Sequence, residues 1–178
     1  RPRHLVQDRN TEQDPFIDLN RVRREIERIS ARLSGFREAN LDFKSASELQ
    51  ADHSKLILRR PSGVGVESIH ASELASKFGR KLQIDGFQSG HNGTVIINVD
   101  CAGVSQVYLP QARVVLDGQE QGVGEVTEFY AGKVIWNFVN AGGVTIHTHL
   151  MTGAVIAPGA TVNIGHNLNG TVVADRVN

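Results

Sequence analysis

The sequence predicts a mostly β protein, a parallel β-solenoid of short strands with one long amphipathic α-helix packed alongside. Three observations carry that expectation. Glycine makes up 18 of 178 residues, above its usual share of about 7%. Val, Ile and Thr crowd the second half of the chain in short runs bounded by Gly, Asn, Asp or Pro, the mixture found where strands meet tight corners. Lastly, similar positions recur at intervals close to eighteen residues, as from Trp136 to Val155, Thr145 to Asn163 and Val155 to Val172.

Residues 1–13 are polar and without periodicity, and are expected to be a lead-in or end cap. The solenoid domain is then expected to occupy 14–178. Asp14-Pro15 resembles a helix start, and Leu19, Val22, Ile26, Ile29, Leu33 and Phe36 follow at steps of three and four, so a helix is expected over about 15–35 with Gly35 as its stop. Arg21, Arg23, Arg24, Arg28 and Arg32 are interleaved with Glu25 and Glu27 at pairing distance, which offsets the basic excess. The stripe also fits a coiled coil. It is short of the three or four heptads that reading requires, so docking on the parent domain is the expected use. On that view Leu19→Asp or Ile26→Asp would release the helix.

The strand expectations are 56–58, 64–66, 82–84, 95–99, 104–109, 114–116, 134–138, 144–146, 154–156, 161–164 and 171–173, with a short helix over 71–78. Val134, Trp136, Val155, Val162 and Val172 are expected to point inward. Trp136 is the single tryptophan, and its indole N–H should find a partner in the core.

Charge narrows the function classes. Lys+Arg and Asp+Glu are equal at 19 each, so no basic stripe points to nucleic acid, and no apolar run approaches the roughly 20 residues that span a bilayer. No secretory leader is visible. The piece opens at Arg1-Pro2 with its only Met at 151, so any leader or anchor is expected to lie outside it. Phosphate-binding, nucleophile-elbow and zinc-protease signatures are missing, and no enzyme, catalytic residue, cofactor or metal is expected. Cys101 is the one cysteine. Burial is favoured over catalysis with a base such as His91, or a thioester with Gln106 or Gln111. The acidic turns at Asp85, Asp100 and Asp117 are read as structural turns in preference to calcium loops. His147 and His149, two apart and so on one face of a strand, are the candidate ligand-binding residues together with His91.

Several segments resemble the choice-of-anchor A domain of Gram-positive surface proteins. They are Phe16-Ile17-Asp18, the run 93–99, Val134-Ile135-Trp136-Asn137-Phe138, the run 153–162 and the run 169–174, so the resemblance covers nearly the whole piece. It implies an extracellular module of a cell-wall-anchored adhesin or pilus tip, anchored through a segment outside this chain. The implied partners are a matrix protein or surface glycan and other domains of the same protein, and the resemblance transfers no catalytic or binding residue. A structural pilus or shell subunit without ligand, a polysaccharide-cleaving β-helix and an ice-binding solenoid are the alternatives. The last ranks low because Thr145, Thr161 and Thr171 do not share one repeat spacing.

Overall fold

The computed structural model describes residues 18–37, 39–87, 92–109, 113–116, 119–120, 132–148, 153–165, 168 and 170–178. The first element is α1 (Leu19–Gly35), whose N-cap is Asp18, its side chain accepting from the Arg21 backbone N–H at 3.0 Å. The expected cap at Asp14-Pro15 lies outside the described residues. The polar stretch that follows folds into β1 (Leu41–Lys44) and the single turn α2 (Ala46–Leu49). A capping box between Ser45 and Glu48 closes the start of α2. Then come β2 (His53–Leu58), β3 (Val64–His70), a 3-10 turn at Ala71–Glu73 running into α3 (Leu74–Phe78), β4 (Lys81–Asp85) and β5 (Thr94–Asp100). The second half holds β6 (Gln106–Tyr108), β7 (Arg113–Leu116), β8 (Gln119–Glu120), β9 (Val134–Val139), β10 (Thr145–Thr148), β11 (Ala154–Ile164) and β12 (Val172–Val177).

The chain is mostly β, but the expected solenoid with a long docked helix is not what forms. The strands make two sheets. One runs β1-β2-β4-β7-β8, with antiparallel pairs at both ends and parallel pairs between. The other runs β3-β5-β9-β11-β10-β6 with β12 beside β11, is parallel throughout and curls into a half-barrel. No constant coil length governs them. Val155 does pair with Trp136 and with Val172, yet Val64 pairs with Thr94 and Ile97 with Trp136, intervals far longer than the expected eighteen residues.

The curl has a local cause. Runs 154–156 and 161–164, expected as two strands, are one continuous β11 whose first half pairs with β9 and whose second half pairs with β10. Pro158 and Gly159 sit at the change of partner. Gly159 has φ +80°, a conformation costly for residues with a Cβ, and the register against β12 shifts at the same place.

The core fills the space between the sheets. Leu56, Leu58, Leu82 and Ile84 from one meet Val95, Ile97, Val99, Val134, Trp136, Phe138, Val155 and Val162 from the other. Phe78 stands edge-on to Trp136 at 5.8 Å and to Phe43 at 5.7 Å, arrangements favoured by the ring quadrupole. Trp136 is buried as expected. Its indole nitrogen, however, has no hydrogen-bond partner among the described residues.

Helix α1 also departs from expectation. It has 17 residues, and its apolar stripe does not carry the docking: Leu19 is 72% exposed, and Val22, Ile29 and Phe36 are also open to solvent. The buried residue of the helix is Ser30. Its hydroxyl donates to Asn137 Oδ1 at 2.7 Å, and Asn137 Nδ2 donates to Ser30 O at 3.0 Å and to Asn98 Oδ1 at 2.8 Å. Asn98 Nδ2 in turn donates to Leu33 O at 3.1 Å. Asn98 and Asn137 are direct partners in the β5–β9 ladder, so two neighbouring amides grip the helix backbone. Buried amides need such partners, and that requirement sets the helix rotation. Arg23 adds an exposed ion pair with Asp175 at 3.3 Å.

Removing the Asn137 amide would leave Ser30 Oγ and Asn98 Oδ1 without the partners they have here and strip the second hydrogen bond from Ser30 O, which keeps its intrahelical one. Asn137→Ala is therefore expected to destabilise the fold by about 2–4 kcal/mol in urea unfolding, whereas Leu19→Asp, on an exposed position, should change stability by no more than about 0.5 kcal/mol. The reverse order would mean that the apolar stripe holds the helix.

Candidate functional site

Parallel pairing places residues of equal parity side by side, so outward-facing groups of β6, β10, β11 and β12 form rows across the strands. Gln106 pairs with Thr145, Thr145 with Thr161 and Thr161 with Arg176. Two residues along each strand, Tyr108 pairs with His147 and His147 with Asn163, and Asn178 Nδ2 donates to Asn163 Oδ1 at 2.8 Å. The intervening Val107, Ile146 and Val162 point into the core and are buried. Strands of one sheet lie about 4.8 Å apart, and residues two apart on a strand about 6.6 Å. The result is a grid of hydroxyl, amide and aromatic groups.

One feature of the grid is aromatic. The rings of Tyr108 and His147 stack at 4.7 Å with an interplanar angle of 7°. They stand on the sheet as neighbouring plates. Strand β6 ends the sheet order, and Tyr108 is 61% exposed although one ring face lies against His147. Its hydroxyl donates to Gln106 Oε1 at 2.9 Å, which holds the ring upright. Among the eight residues of the grid only Arg176 carries a formal side-chain charge, so the surface suits a neutral polar ligand better than a phosphate or sulfate.

The expected site residues are separated by this geometry. His147 belongs to the grid, while His149 and His91 lie outside the described residues. Thr145 and Thr161, thought to miss a common spacing, are direct neighbours, whereas Thr171 precedes β12 and stands elsewhere. Tyr108 and Arg176 were not singled out by the sequence, Gln106 entered only as a thioester candidate for Cys101, and Asn163 only as the end of a repeat interval. The alternations Gln106-Val107-Tyr108, Thr145-Ile146-His147 and Thr161-Val162-Asn163 carry the signal of an exposed face, but not which faces adjoin.

The other chemical candidates resolve into structure. Cys101 is buried, with Sγ 3.7 Å from Val99 O, and burial together with the neighbouring Asp100 carboxylate pushes its pKa up to about 11. Gln106 is exposed on the outer face and Gln111 lies outside the described residues. Asp100 holds a corner, where its Oδ1 accepts from Asn140 Nδ2 at 2.9 Å and from the Ala102 N–H at 3.1 Å. Those hydrogen bonds keep its carboxyl below the ordinary range. Asp85 Oδ2 accepts from Lys55 Nζ at 3.0 Å and from Gln83 Nε2 at 2.8 Å, and Asp117 lies outside the described residues. Among the described residues no three His, Cys, Asp or Glu converge as a metal site, and no helix is long and apolar enough to cross a membrane.

Residues 3–178 match the model of the family described as "Putative Ice-binding-like adhesive domain", and the chain belongs to that family. Its class is thus an adhesive domain, a coarser statement than the choice-of-anchor A module that the sequence resembles. No curated protein and no solved structure matches the chain.

Two outcomes follow from the buried thiol and the acidic corner. Native protein at neutral pH should leave Cys101 unmodified by a thiol reagent over the time in which denatured protein reacts fully, and rapid native labelling would contradict its placement. Asp100, with a lowered folded pKa, contributes stability above about pH 4 that is lost as pH falls through its folded value. In NMR titrations Asn140→Ala should move the Asp100 midpoint up toward the ordinary carboxylate value, and an unchanged midpoint would contradict the corner hydrogen bond.

Proposed function

We propose that this chain is the ligand-contacting, non-catalytic module of a protein displayed outside the cell, and that its grid face binds a neutral glycan. The observation that carries the reading is the pair of in-register rows, Gln106–Thr145–Thr161–Arg176 and Tyr108–His147–Asn163. Sugars present alternating hydroxyls and apolar C–H faces. The rows offer hydroxyl and amide partners at regular spacing, and the exposed part of the Tyr108 ring offers a surface for a C–H face. Membership of an adhesive family supports the role. A sheet surface whose side chains are already in place loses little entropy on binding, so weak single contacts suffice when many copies act together. Cell-wall anchoring, a pilus-tip position and contact with other domains of the same protein belong to the same proposal as the setting in which such a face would be useful. A matrix protein is the other partner class.

A second reading, ice binding, is favoured by the direct Thr145–Thr161 pairing and by the family description. Against it, Tyr108, His147 and Arg176 interrupt the flat hydroxyl rows that such a surface needs.

The test is a glycan array and a matrix-protein array probed with the 178-residue chain. Retention of at least one neutral glycan is expected, with Tyr108→Ala weakening it about tenfold and melting unchanged. Silence on both arrays, or matrix-protein binding insensitive to Tyr108→Ala, would overturn the glycan assignment. Thermal hysteresis of supercooled solutions without glycan binding would establish the second reading in its place.

A further inference from the structure

The hydrogen bonds from Asn98 and Asn137 rotate α1 so that only one shoulder of its apolar stripe faces the sheet. Ile26 and Leu33 are partly buried there, while Val22, Ile29 and Phe36 remain 43, 42 and 41% exposed. These three are seven residues apart. They form a row along one flank of the helix, the spacing that fits a second helix. Val22 stands beside Ile26 at the mouth of the cleft that Pro158 and Val173 also line, and Phe36 is the extended residue that caps the C-terminal end. An exposed ridge of this kind calls for a partner.

The charges beside the ridge indicate which partner. Glu25 and Arg32, also seven apart, flank it on the side away from the sheet. If a second copy of α1 runs antiparallel with a two-fold axis at Ile29, Ile29 meets Ile29 of the other copy and Val22 meets Phe36. The same axis places Glu25 of each copy beside Arg32 of the other. Large meets small and acid meets base without any further adjustment, which is the self-complementarity that an isologous contact requires. Glu25 reaches this position by exchanging its exposed pair with Arg28, now at 3.2 Å. A parallel pairing would instead put the Glu25 and Arg32 flanks of the two copies on opposite sides of the contact, with no such match.

We infer that two copies of this chain associate through α1, antiparallel, about a two-fold axis at Ile29. The contact is small compared with a standard interface, so the dimer is weak and concentration-dependent. Two grid faces held in one assembly raise valency, the quantity on which adhesion by weak contacts depends. The inference does not rest on the glycan assignment, because it concerns a different element and reads out without ligand.

Sedimentation equilibrium over a wide concentration range tests it. Wild-type chain should show reversible dimerisation, Glu25→Arg should weaken it about fivefold, and Glu25→Arg with Arg32→Glu should restore it. Ile29→Cys should give a disulfide-linked dimer on mild oxidation, since the two cysteines meet on the axis, while Ala31→Cys on the opposite side of the helix should not. Cys101 is buried and does not compete. All four positions are exposed, so circular dichroism and melting should be unchanged. A monomer at every concentration, a dimer that the double reversal fails to restore, or equal cross-linking of the two cysteine variants would overturn the inference.

Discussion

The parallel register around β11 is the constraint on which the rest of this protein depends. Its first half is held by β9 and its second by β10, with β12 running along both, so a single strand joins the two arms of the curled sheet. Side chains alternate between faces with a period of two, and a slip of one residue at either ladder would exchange Val162 for Thr161 or Asn163 in the core. Apolar burial on the inner side therefore fixes what appears on the outer side. The outer rows need no stabilisation of their own, which leaves their chemistry free for contact with a ligand.

A second demand acts on the opposite arm. Asn98 and Asn137 lie side by side within strands whose neighbours are apolar, and their amides lose water as the fold closes. Ser30 and the Leu33 carbonyl supply what the amides need, so the helix is seated by polar complementarity and not by its oily stripe. The consequence reaches the molecular surface. Turning Ser30 inward turns Ile29 outward, and the apolar shoulder of α1 becomes available to another molecule.

Much of the fold was legible in the chain, and the failures have physical causes. Strand positions followed from β-branched runs between glycines, and the Trp136–Val155 and Val155–Val172 intervals are true pairings. The interval from Thr145 to Asn163 missed by two, because Thr145 pairs with Thr161, yet the parity and so the shared face survived. A uniform coil failed because β4 and α3 are inserted between β3 and β5, which no local period records. Strand β1 and helix α2 were hidden by polar composition, although Ser45 and Glu48 spelled a capping box. The helix rotation was misread for a related reason. Periodicity counts apolar residues and cannot know that two asparagines, more than 60 residues downstream, will claim Ser30 (Asn137) and the Leu33 carbonyl (Asn98). For the grid, His147 was visible as one of a pair of histidines, but its actual neighbour, Tyr108, lies in a distant strand and only the register unites them.

The adhesive family and the outer grid thus meet in one physical statement, that distant strands align their exposed side chains into rows. The stacked pair reports on that alignment directly, because a tyrosine ring 4.7 Å above an imidazole shields its protons. Proton NMR of the His147 ring is the decisive measurement. The account predicts carbon-bound imidazole protons shifted upfield in the native chain and returned to ordinary positions by Tyr108→Leu. Unshifted His147 resonances in the native chain, indifferent to residue 108, would contradict the register and with it the grid.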